Sequence, residues 1–130
     1  MQQARPALCA IALAALTAVA GHLQAATPAD FDCSKKSVVT YHPGPNWAQF
    51  RERLAQHLDF VKARLEQKAM AYGSPVSDAD GAPVGGLFIY NDTNLDSVEA
   101  LVQDDIFVKD GVVTFNVVSW GMCQAKRPAN

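Results

Sequence analysis

Hydrophobic positions change their spacing several times along this chain, and each change marks an element. Trp47, Phe50, Leu54, Leu58, Val61 and Leu65 fall on one face at steps of three and four, the period of an amphipathic helix. Asn46 followed by Gln49 is a capping-box variant, so a helix is predicted from residue 46 to about residue 68. Ahead of it, residues 37–42 (SVVTYH) are β-branched and aromatic and predict a strand that Pro43-Gly44-Pro45 ends. Residues 69–76 predict a second strand interrupted at Gly73-Ser74-Pro75, residues 77–83 a loop, and residues 84–90 a third strand. Asp96 and Glu99 open a second helix whose apolar positions are Val98, Leu101 and Val102, ending near Asp104-Asp105. Residues 112–120 (VVTFNVVSW) are the clearest strand, and the polar residues 124–130 predict a flexible tail.

The order is β-α-β-β-α-β, the ferredoxin-like split motif of the α+β class. A sheet in the order 4-1-3-2 makes every neighbour antiparallel, so the first strand begins where the fourth finishes. That topology brings together Cys33 and Cys123, which flank the 33–123 domain. In an oxidising compartment the two predict one disulfide clamping the termini. Their spacing is not that of a CxxC redox motif, and two cysteines with singly scattered histidines do not make a zinc site.

Composition adds a compartment. Residues 1–6 carry Arg5 and no acid, residues 7–20 are an uncharged apolar run, and Gly21 with Ala25 supplies a break and a small residue. This is the three-part pattern of a secretory signal peptide over residues 1–25. The run falls short of the roughly 20 residues that a membrane-spanning helix needs. An exported protein with no membrane association after cleavage is expected, secreted or periplasmic, the rival being a retained N-terminal anchor. What remains of the 130 residues is one modest domain. Losing Arg5 moves the net charge from −2 to −3, and no basic footprint for nucleic acid is present.

The candidate chemistry is sparse. With 100° per residue, the stripe of the first helix centres near Leu54 and Leu58, and His57 lies about 70° aside, near Phe50, Val61 and Arg64. An imidazole at such a border can serve as acid or base near neutrality, or can simply bond to backbone. Asp105 follows Leu101 by four residues and Val98 by seven. A carboxylate ending that helix opposes the macrodipole by roughly 0.3–1 kcal/mol, which a histidine partner would offset. Alternatively the helix ends one residue early and Asp105 caps the next turn, with Asp104 facing solvent. The two helices run such that contact needs a crossing, or an Asp105 that hangs below its helix end; otherwise substrate or water joins the pair. His42 and Ser74 are secondary candidates for substrate binding. Tyr41, Trp47, Phe88 and Tyr90 read as core or interface. The sequence holds no nucleophile elbow, phosphate loop or metal-ligand cluster, so neither metal nor cofactor is expected.

Several short segments together resemble YCII-related proteins: Pro43-Gly44-Pro45-Asn46-Trp47, Gln56-His57-Leu58, Tyr72-Gly73-Ser74-Pro75, Asp80-Gly81 before Gly85-Gly86-Leu87, residues 105–112 (DIFVKDGV) and Trp120. The resemblance covers about residues 38–121. It implies a ferredoxin-like domain that dimerises through its sheets into an α-β barrel, with His57 and Asp105 as an acid-base pair facing a pocket. Members commonly carry an arginine where this chain has Leu54, and a proline where it has Ile106. The chemistry that fits is cofactor-free proton transfer, an isomerisation or elimination on a small cyclic molecule. The alternative is a small-ligand-binding or structural dimer without turnover.

Overall fold

A computed structural model describes residues 28–127. The expected signal peptide and the last three residues lie outside them. Strand β1 spans Phe31–Pro43, helix α1 Phe50–Glu66, β2 Met70–Ser77, β3 Pro83–Tyr90, helix α2 Leu95–Val102, the one-turn helix α3 Ile106–Lys109, and β4 Val113–Ala125. The sheet order is β2-β3-β1-β4 with every pair antiparallel. This is the expected ferredoxin-like α+β arrangement. None of the helices among the described residues is long and apolar enough to cross a membrane.

Alternation on the strands decides which face is buried. Val39, Tyr41, Phe88, Tyr90 and Val113 turn toward the helices and pack with Val98, Val102 and Phe107. The opposite face stays uncovered, leaving Tyr72, Val118 and Trp120 exposed. The buried residues are mostly valine and aromatic, shapes that suit a pleated surface.

Four boundaries depart from the sequence reading. β1 and β4 continue beyond the four-stranded sheet as a two-stranded ribbon, pairing Phe31 with Ala125. The first residues of the expected tail join this pairing: Gln124 and Ala125 lie in the strand, and the Lys126 amide donates to the Asp30 carbonyl at 2.9 Å. Within the ribbon Cys33 stands opposite Cys123, and the two form a disulfide. Asn46 does not cap α1 through its side chain; its Nδ2 donates instead to the Asp110 carbonyl at 2.8 Å. Together with Gly44 N to Val112 O, that bond ties the entry of α1 to the start of β4. A side chain at Gly44 would meet the Gly111 carbonyl, so only glycine permits this approach. Finally, α2 is capped by Asn94, whose Oδ1 accepts from Ser97 N at 3.0 Å, and stops at Val102.

Candidate active site

The early end of α2 creates the site. Residues 103–104 turn, the Asp105 amide donates to the Val102 carbonyl, and Asp105 becomes the N-cap of α3. Its Oδ1 accepts from the Phe107 amide at 3.0 Å. The carboxylate thus drops below its helix toward α1 and lies fully buried. In its ionised form a carboxylate only accepts, and three donors surround this one. The Tyr41 phenol donates to Oδ2 at 2.8 Å, and His57 Nδ1 meets the same oxygen at 2.7 Å. Such a short contact to a carboxylate acceptor places a proton on Nδ1, so in the neutral ring Nε2 on the far side carries the lone pair. Burial and the Asp105 charge push the Tyr41 phenol well above the ordinary tyrosine range. The phenol stays a donor.

His57 is held on its faces as well. Phe107 stacks on the imidazole with centroids 4.1 Å apart and planes within 4°, and Phe88 meets it edge-on at 5.9 Å. These contacts follow from a rolled helix. His57 is 7% exposed and Leu58 54%, whereas the apolar periodicity alone centres the buried stripe between Leu54 and Leu58. The roll tracks the partner surface, where Phe107, Tyr41 and Asp105 surround the imidazole. The predicted stripe is corrected by about one residue.

His57 and Tyr41 open onto a cavity of about 330 Å³. Helix α1 lines it with Leu54, Leu58 and Val61, the 3-10 turn before it with Trp47, and β2 and β3 with Gly73, Pro75, Gly86 and Phe88. Ser74 and His42, the expected substrate-binding residues, do not line it. Strand alternation turns both to the uncovered side of the sheet, where Ser74 Oγ donates to the neighbouring Pro75 carbonyl and His42 Nε2 lies 3.1 Å from Thr40 Oγ1. Asp104 is outside too, 3.7 Å from Arg64 and 3.9 Å from Lys109. Sequence reasoning missed the roles of Tyr41 and Phe107. Alternation from Val39 could have turned Tyr41 inward, and the spacing Asp105-x-Phe107 could have placed an aromatic beside the cap. No group of three or more metal-ligating side chains occurs among the described residues.

A profile of the YCII-related domain matches residues 36–120. Among solved structures, the 5-chloro-2-hydroxyhydroquinone dehydrochlorinase TftG from Burkholderia phenoliruptrix AC1100, in complex with 2,5-dihydroxybenzoquinone, is similar over 65% of this chain and 92% of that chain, at 23% identity and a TM-score of 0.53. A Deinococcus radiodurans protein assigned as an antibiotic biosynthesis monooxygenase is similar over 75% of this chain and 97% of its own, at 15% identity and a TM-score of 0.37. Among curated proteins none matches the chain in sequence. At that identity the likeness to TftG speaks to the fold. The profile match spans the site from Tyr41 to Phe107, all of β2 and β3 and the larger part of β1 and β4, and by it the chain belongs to the YCII-related family.

Proposed function

We propose that this is an exported, homodimeric acid-base enzyme in which His57 moves a proton on a small cyclic ligand without a cofactor. The observation that carries the proposal is the imidazole itself: Nδ1 is engaged by a buried carboxylate at 2.7 Å while the ring lines a ligand-sized cavity. In the reaction Nε2 takes a proton from an O–H or C–H acid, and the electron pair stays on the ligand. The imidazolium that forms faces Asp105, which balances its charge without moving. The pair on the ligand then either collects the proton at another atom, an isomerisation, or expels a leaving group with its electrons, an elimination. General acid-base help of this kind supplies about 10²–10⁴-fold in rate. TftG, a dehydrochlorinase by name and bound to a dihydroxybenzoquinone, supports elimination on a ring as the first chemistry to try.

Export is supported by the Cys33–Cys123 disulfide, which belongs to an oxidising compartment. The uncovered face of the sheet, with Val118 and Trp120 exposed, supports a second copy as its cover.

The test is hydrogen-deuterium exchange. A panel of cyclic ketones and hydroxylated quinols is incubated in D₂O with wild type and with His57→Gln. Exchange catalysed by wild type and reduced about 10²-fold or more in the variant is expected. Ligands that bind but exchange equally with both proteins would make this a binding protein instead.

A further inference from the structure

The lining of the cavity specifies charge as well as size. Of its side chains only Tyr41 and His57 ionise, and the Tyr41 hydroxyl already donates its hydrogen bond to Asp105. The arginines of α1 that bracket His57 are committed elsewhere. Arg53, one turn earlier, pairs with Asp110 at 2.6 Å, and Arg64, two turns later, donates to Gln67 and lies over the Phe60 ring. Neither lines the cavity. The position three residues before His57, on the same helical face, is Leu54. An anionic ligand would therefore lose its hydration with no fixed cation to meet it, and an imidazolium at His57 is already paired with Asp105, so the transfer is costly. The fully buried Asp105 behind the imidazole adds repulsion.

Shape points the same way. A Cβ on Gly73 or Gly86 would come within 3.0 Å and 2.8 Å of the Phe88 ring. The two glycines thus leave room for that ring to lie close against β2 and β3, where it forms an aromatic wall of the cavity. Trp47 and Phe50, 4.8 Å apart, line the cavity from the helical side. A planar group between such walls gains stacking contact, and about 330 Å³ suits one substituted ring or two fused ones.

From lining, charge and shape together, we infer that the cavity selects an uncharged planar ring and rejects carboxylates and phosphates, with Leu54 as the residue that sets this selectivity. The inference rests on the cavity being the ligand site of the proposed function, but not on His57 transferring a proton.

Three probes test it by NMR at neutral pH, reading the Trp47 indole and His57 ring signals: methyl benzoate, phenol and benzoate. Methyl benzoate and phenol are expected to shift both signals saturably, with benzoate weaker than its methyl ester by about tenfold or more. Leu54→Arg should cut that ratio by about tenfold. Gly86→Ala, which pushes Phe88 toward the cavity, should weaken the two neutral probes while the His57–Asp105 bond remains. His57→Gln, read at the Trp47 indole alone, should keep the ester-over-acid order, so an inactive enzyme and an unselective cavity are told apart. Benzoate binding wild type as tightly as its ester overturns the inference, as does an absence of response to all three probes. The wild-type ratio decides even if a variant does not fold.

Discussion

His57 is fixed from three directions: Asp105 in the ring plane, Phe107 on its face and Phe88 at its edge. Only the first of these chooses which nitrogen holds the proton. In Asp105→Asn the amide can offer either an oxygen or an N–H, so the tautomer is no longer imposed. Nitrogen-15 NMR should find Nδ1–H in the wild type and a mixture, or Nε2–H, in the variant. A wild-type spectrum with Nε2–H alone would contradict the assigned geometry. The same substitution leaves Tyr41 or Phe107 N–H imperfectly matched and should cost about 1–3 kcal/mol of stability. Tyr41 and Tyr90 carry a separate consequence. Both phenols are pushed above the ordinary tyrosine range, first by burial and next by the Asp105 charge; Arg64 partly opposes this at Tyr90. The unfolded chain releases these protons near pH 10 whereas the folded chain keeps them, so stability is intact below about pH 10 and declines above it. The slope approaches about 1.4 kcal/mol per pH unit for each tyrosine. Urea midpoints measured between about pH 8 and 11 should show the decline, and Tyr90→Phe should flatten it by one tyrosine's share; equal slopes in the two proteins would assign the decline to other groups.

Helix α1 ends on a device that local sequence does not favour. Lys68 sits at φ 57°, its amide donates to Leu65 O, and the Ala69 amide reaches back to Arg64 O at 3.0 Å. This is a Schellman ending with lysine in the left-handed position where glycine is usual. Lys68→Gly removes a steric cost of roughly 1–2 kcal/mol and adds backbone entropy to the unfolded chain. A net gain of about 0.5 kcal/mol, seen as a rise of a few degrees in Tm, is expected; a fall in Tm would mean that the lysine stem contributes more packing than its conformation costs. The strands and both main helices were legible because their apolar periods are strong and each has a polar stop nearby. The roll of α1 was not: Phe50, Leu54, Leu58 and Val61 fit a stripe through Leu54 and Leu58 almost as well as one through His57, and only the partner surface chooses between them. Asp105 was legible as an oddity, a carboxylate in register with Val98 and Leu101, and both competing explanations of it turn out to hold. It caps the following turn and, because α2 ends at Val102, it also reaches the histidine. A four-residue helix such as α3 has too few positions to show a period, which is why Phe107 was not assigned a place against His57.

At the scale of the whole molecule, stability and chemistry are built at opposite ends of β1. Cys33 lies in the outlying ribbon, and Tyr41, eight residues along the strand, reaches the site. The disulfide closes a loop with a sequence separation of 90 residues, so the double variant Cys33→Ala with Cys123→Ala should lose about 2–4 kcal/mol. It should keep the His57 tautomer and the cavity's preference for neutral rings, because neither cysteine lines the cavity. A changed tautomer would show that the ribbon steers the site. The proposed dimer would use a different surface again. A single layer of helices covers one face of the sheet. On the other, Leu87 and Ile89 are half-buried and Val38 is buried by its neighbours, while Tyr72 is 55% exposed, Val118 50% and Trp120 41%. Apolar groups spread over all four strands of one face are the kind of surface that proteins cover, and a second copy covering it would bury on the order of 800 Å² on each partner. Trp120 lies near the rim of this face, where a charge can be introduced without entering the helical core. Trp120→Glu would put an unpaired charge into each half of an apolar two-fold interface, so sedimentation equilibrium should give a dimeric mass for wild type and a monomeric one for the variant. A wild type that remains monomeric at micromolar concentration removes the dimer from the proposed function, and with it the reason for an apolar face here. His57, on the helical side of the same sheet, would keep its partners in either outcome, so the exchange assay can be read without waiting for the mass.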